Sequence, residues 1–161
     1  MKSAAETIFR TLLDNDVRFV VIGALAATMQ GSYLRTEDID ICADRATDNL
    51  ERLATSLNEL EAFEWDPYKA EPIERTFTAE MLSVDKFWLF VMGGYRFDVV
   101  FNPAGSSGYA ELAERATVVD LEGRRLLVAS IEDLIRSKEE LDRDKDKDQL
   151  RVLHRLLEEQ E

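Results

Sequence analysis

"VVIGALAATMQGSYLRTEDIDICA", residues 20–43, decides the fold. It opens on an apolar, β-branched run, turns at Gly23, passes through a helical pattern that closes near Gly31, and ends in the alternation of "EDIDICA". The first run reads as a buried strand and the alternating one as a strand with two unlike faces. A glycine after apolar residues lets the backbone turn tightly into a helix. Backbone N–H groups at such a turn are free to meet an anion. A helix of about seven or eight residues then returns the chain so that the second strand lies beside the first.

Side chains alternate along a strand, so Ile39 and Ile41 face the core while Asp38 and Asp40 share the other side, roughly 7 Å apart. A later run, "YRFDVVF" (95–101), repeats the pattern: Phe97, Val99 and Phe101 point one way and Asp98 the other. A lone acid on an apolar strand is costly unless it is paired or ligates a cation. Three carboxylates converging on one spot repel one another, and hard Mg²⁺ relieves that repulsion while keeping positions open for water and phosphate. Two such ions about 3.5–4 Å apart hold the attacking and leaving oxygens of a phosphoryl or nucleotidyl transfer. The plainer alternative, acids on the solvent face of an edge strand, stays open at this point.

Outward from this segment the chain alternates helix and strand. Ser3 with Glu6 three residues later is a capping-box signal for an amphipathic helix over 3–14. Thr47 reads as the N-cap of a helix with a Leu50, Leu53, Leu57, Leu60 stripe. Residues 64–82 read as a loop or short irregular strands. "DKFWLFVMGGYRFDVVF" reads as a hairpin about Gly93-Gly94, and "TVVDLEGRRLLVAS" as two short strands about Glu122-Gly123, with a short helix between them. Ser130 caps a helix, and a second helix covers about 144–159. The expected fold is mixed α/β: a small mixed sheet flanked by helices, with a C-terminal helical pair. The expected organisation is a single domain over 1–161, core about 17–128 and terminal helices about 130–159.

With 161 residues, 45% of them hydrophobic, the chain is long enough for one core. No apolar run is long enough for a membrane span, the N-terminus has no apolar signal core, and there is one cysteine, so the expected setting is the cytoplasm without a membrane partner. The net charge of −13 repels polyanions at long range and argues against a general nucleic-acid coat protein.

Gly23, a short helix, "RTEDIDI" (35–41) and "YRFDVV" (95–100) together resemble the nucleotidyltransferase fold of DNA polymerase β type. The likeness is greatest to its small bacterial branch of antibiotic nucleotidyltransferases and abortive-infection toxins. "SIEDLIRSKEELDRDKDKDQLRVL" (130–153) looks like the C-terminal signature of that branch. The resemblance covers roughly 17–153. It implies that Asp38 and Asp40 bind Mg²⁺, two ions in all, and that Asp98 is the third acid and aids deprotonation of the acceptor. Gly23 and Ala24 would hold phosphates through their N–H groups, Lys138 would reach the triphosphate, Asp146 would orient that lysine, and Arg35 and Thr36 would touch phosphate or brace the loop. It further implies an NTP as donor, an acceptor hydroxyl on tRNA, protein or a small molecule, and, in the toxin case, a cognate antitoxin. The family carries Gly or Ser where this chain has Ala24, which keeps the N–H but removes a hydroxyl or adds a methyl group.

Other candidates read more plainly. Lys138 also reads as a surface lysine paired with Asp142, His154 as a helix residue, Cys42 as a buried thiol, and Trp65, Phe87, Trp88 and Phe90 as core or hairpin packing. Two functions follow: an Mg²⁺-dependent transferase of an NMP group, or an inactive nucleotide-binding or protein-interaction module on the same fold, for which Ala24 is the motive.

Overall fold

The computed structural model describes residues 3–160. Ser3 accepts a hydrogen bond from the Glu6 N–H and starts α1 (Ala4–Asp14), which buries Ile8, Phe9 and Leu12. Then follow β1 (Phe19–Ile22), α2 (Gly23–Met29), β2 (Ile39–Ala43) and α3 (Thr47–Glu59). Thr47 is the first residue of α3 and not its cap; Ala46 holds the cap position, and the Asp44 carboxylate accepts the Ala46 N–H. In the leucine stripe, Leu50, Leu53 and Leu57 are buried, while Leu60 lies beyond the helix.

Residues 63–82 form β3 (Phe63–Asp66), β4 (Glu71–Ile73) and a single turn α4 (Ala79–Leu82). The hairpin β5 (Phe87–Met92) and β6 (Tyr95–Val100) turns at Gly93 and Gly94, both at positive φ. After α5 (Tyr109–Arg115) come β7 (Thr117–Leu121), β8 (Arg124–Val128), α6 (Ile131–Leu141) and α7 (Lys147–Gln160). The Ser130 hydroxyl caps α6 by accepting the Asp133 N–H. The expected second terminal helix begins at Lys147, because Asp144–Asp146 is a 3-10 turn.

Among the described residues eight strands join one mixed sheet in the order β4-β3-β5-β6-β2-β1-β8-β7. β2 runs parallel to β6 and β1 parallel to β8; the other neighbours are antiparallel. One face carries Ile39, Ile41, Trp88, Phe90, Phe97 and Val99, all buried. Phe9 of α1 stacks on Phe19, Phe77 meets Phe90 edge-on, and the Trp88 indole N–H donates to Leu82 O of α4. Aromatic contacts of this kind add about 0.5–1.5 kcal/mol beyond area burial. On the opposite face α2 and α5 pack at β1, and α2 also meets β2 and α6. That face therefore stays open over the β5 and β3 side, and the acids lie on it.

Candidate functional site

The acids come together through sheet register. Asp40 of β2 is the direct partner of Asp98 of β6, and Ile22 of β1 is the direct partner of Asp40. Partners in register point to one face. Both carboxylates are half-buried on that face. Burial raises Asp40 above the ordinary carboxylate range, Asp98 and Asp38 push it further, and it reaches about 7. Asp98 is also raised by burial, a rise that Arg96 opposes with its guanidinium Nη2 3.4 Å from Oδ1. Each carboxyl raises the cost of ionising its neighbour, so the bare pair resists carrying two negative charges.

Asp38 sits elsewhere than expected. β2 begins at Ile39, so Asp38 precedes the strand and is exposed at the mouth of the site. It shares the site's field and raises both inner acids. The chain lifts off the sheet there because residues 30–38 form a braced loop. Thr28 Oγ1 donates to Leu34 O, the Ser32 hydroxyl accepts the Leu34 N–H, and the Thr36 hydroxyl accepts the Asp38 N–H at 3.1 Å. Thr36 thus fixes Asp38, and buried Ser32 is committed to the loop. Arg35 is exposed beside them.

Gly23 is required by close approach. Its φ is +71°, and a Cβ built on it would lie 2.7 Å from Asp40 Oδ2. A side chain there would collide with the carboxylate and strain the backbone. Ala24 follows, half-buried in the first turn of α2.

A cavity of about 320 Å³ opens on this corner, lined by Gly23, Asp40, Asn102, Asp133, Ser137, Lys138 and Arg143 among others. Lys138 is buried, not on the surface, and its partner is Asp146, not Asp142: Nζ lies 3.1 Å from Asp146 Oδ1. Arg143 Nε holds the other oxygen at 2.5 Å. Burial raises the Asp146 carboxyl, but the hydrogen bonds from Arg143 and Lys138 outweigh it and hold it below the usual range.

Sequence reasoning did not single out Asp133, Asn102 or Arg143. Asp133 is buried at the start of α6 and bound by Arg115 and Arg136. Asn102 opens the "NPAGSSG" loop directly after β6. Gly105 in that loop stands against the α6 backbone, where a Cβ would come within 3.0 Å of Arg136 and Ser137 main-chain atoms. A polar, glycine-rich loop leaving the Asp98 strand was the available signal. Cys42 is buried with its Sγ toward Phe101 O, and His154 lies on α7 beside Glu139, so neither joins the site.

The donor set suits a hard divalent cation. Two half-buried carboxylates resist ionisation together, and a cation between them would favour the fully ionised pair. Among the described residues no group of three acidic, histidine or cysteine side chains is arranged to hold a metal. Mg²⁺ commonly takes one or two protein carboxylates and completes its shell with water and substrate phosphate, so the pair is sufficient.

No family model matches the chain, and no curated protein does. Solved structures do share its fold. The candidate nucleotidyltransferase TM1012 from Thermotoga maritima is 19% identical, with a TM-score of 0.54 over 89% of this chain and 88% of that one. ANT(2″)-Ia, solved in complex with adenylyl-2″-tobramycin, is 16% identical, with a TM-score of 0.58 over 96% and 90%. The lincosamide antibiotic adenylyltransferase LnuA, solved with lincomycin bound, is 14% identical, with a TM-score of 0.63 over 96% and 98%. At these identities the likeness is one of architecture: this chain has the nucleotidyltransferase fold.

Proposed function

We propose that this protein is an Mg²⁺-dependent nucleotidyltransferase that moves an NMP group from an NTP to an acceptor hydroxyl. The observation that carries this is the Asp40–Asp98 register pair, with Asp40 lining a cavity that also presents Gly23 and Lys138. Asp40 and Asp98 would hold the cation, and Asp38, expected beside Asp40, would add its charge from the mouth of the site. When bound, Mg²⁺ supplies charge neutralisation for the triphosphate and for the pyrophosphate that leaves. The acceptor oxygen attacks the α-phosphorus, the bond from that phosphorus to the β,γ-pyrophosphate oxygen breaks, and the hydroxyl proton passes to Asp98.

Asp98 suits that task because burial raises it while Arg96 keeps it ionisable. The main chain at Gly23 and Ala24 can approach a phosphate without side-chain obstruction. Lys138 extends toward the cavity, its ammonium oriented by Asp146, and offers a charge to the triphosphate. Arg35 and Thr36 stand at the entrance, Thr36 as the brace for Asp38.

The solved relatives with antibiotic ligands favour a small-molecule acceptor over tRNA or protein. A toxin role with a cognate antitoxin goes with the tRNA or protein acceptors. Nucleotide binding without transfer is the second reading, and Ala24 favours it, since this position lacks a hydroxyl for phosphate. The test is transfer of label from each α-labelled NTP, with Mg²⁺, to acceptors of the three classes. Transfer by the wild type that is lost in Asp40→Asn supports the proposal; equal transfer by both overturns it.

A further inference from the structure

The register that joins the two acids continues across the sheet. Leu89 of β5 is the direct partner of Asp98, Phe87 of Val100, and Val91 of Arg96. Phe63 of β3 is the partner of Val91, and Trp65, two residues on, falls on the same face. Successive strands lie about 4.8 Å apart, so Leu89 is about 5 Å from Asp98 along the sheet and Trp65 about 10 Å.

The two faces of these strands differ sharply in exposure. Trp88, Phe90 and Phe97 on the far face are 6%, 0% and 0% exposed, whereas Phe87 and Phe63 on the acid face are 56% and 37% exposed. Leu89, Val91 and Trp65 are half-exposed. An apolar sheet face left open beside a polar site marks a binding surface. A groove of about 550 Å³ lies against it, lined by Trp65, Tyr68, Val84, Phe87 and Leu89.

Resting on the transferase reading, we propose that this face is the acceptor platform, and that the acceptor is an amphipathic small molecule with a hydroxyl group, an apolar part and no net negative charge. The groove's volume lies within the small-molecule range of about 300–1,000 Å³. Its charged lining is Glu64, Asp85 and Lys86, with Glu64 paired to Arg75, so it carries no excess of positive charge. A nucleic-acid strand needs a cationic track for its backbone, and this surface on a chain of net charge −13 offers none. The apolar part of the acceptor lies on Trp65, Phe87 and Leu89, and its hydroxyl reaches back over one strand to Asp98.

The test measures pyrophosphate release at saturating Mg²⁺-NTP with four probes: phenyl β-glucoside, octyl β-glucoside below its micellar concentration, glucose, and tRNA. Wild type, Trp65→Ala and Phe87→Ser are compared, with Mg²⁺-NTP binding followed by calorimetry on the same samples. The expected result is stimulation by the two amphipathic glucosides, with both variants raising the KM for glucoside about tenfold and leaving the KM for NTP unchanged. Stimulation by glucose or tRNA equal to that by the glucosides overturns the platform, as do variants that match the wild type. Mg²⁺-NTP binding with stimulation by none of the four also overturns it. Absence of Mg²⁺-NTP binding overturns the transferase reading itself, and the platform with it.

Discussion

Asp40→Asn should make the metal-free protein more stable, and by an amount that grows with pH. Burial and the neighbouring acids raise Asp40 to about 7, from an ordinary carboxylate value of 3.8. An acid whose pKa is raised in the fold binds its proton more tightly folded than unfolded. Its contribution is complete below the unfolded value and is lost as pH rises through the folded one. The amide introduced by D40N has the shape of the protonated acid, can donate to Asp98 as that acid does, and never ionises.

The wild type therefore loses stability between about pH 5 and about pH 8 that D40N keeps. The gap spans roughly two pH units of proton release at about 1.4 kcal/mol each, or about 2–3 kcal/mol. Urea unfolding of both proteins at the two pH values, with a chelator present, measures it. Asp38→Asn is the control, because that side chain is exposed and should give a much smaller pH-dependent difference. Added Mg²⁺ should reverse the order at high pH, since it stabilises only the chain that binds it. A D40N stability increment that is the same at both pH values, or larger at low pH, refutes the reasoning about this pair.

Gly23→Ala should destabilise the fold by about 1–2 kcal/mol from its left-handed backbone alone, and the methyl group should displace Asp40 and weaken Mg²⁺-NTP binding; unfolding and calorimetry together check both. Asp146→Ala leaves Lys138 buried without its carboxylate and should cost about 3–5 kcal/mol in urea unfolding, more than Lys138→Met, which leaves Asp146 held by Arg143. Mg²⁺ binding near neutral pH should release protons, seen as a calorimetric enthalpy that changes with the ionisation enthalpy of the buffer, and D40N should abolish that dependence.

Much of this architecture was legible in local patterns. The β1–Gly23–α2–β2 segment, both glycine-turned hairpins and the Ser3 and Ser130 caps follow from side-chain alternation and turn chemistry, which need no distant partner. Asp40 and Asp98 were identifiable as acids out of place in apolar strands. What was not legible depends on long-range pairing. That Asp40 stands beside Asp98 is set by the β2–β6 register, across more than fifty residues of intervening chain. Alternation made Asp38 look like a strand residue, but the Thr36 hydroxyl takes its N–H and ends the strand at Ile39.

Lys138 looked equally like a surface lysine because its partner Asp146 is reached only when the 3-10 turn folds back onto α6. Trp65 and Phe87 read as core because aromatic residues in strands usually are. The same run holds buried Trp88 and exposed Phe87 side by side, and only the placement of the covering helices separates them.

The central claim is that the Asp40–Asp98 corner holds a metal-bound nucleotide. Calorimetric titration of each of the four NTPs, with Mg²⁺, into the wild type and into an Asp38→Asn/Asp40→Asn double variant tests it most directly. The account predicts Mg²⁺-dependent binding of at least one NTP by the wild type and its loss in the variant. No binding by the wild type, or equal binding by both proteins, would contradict it.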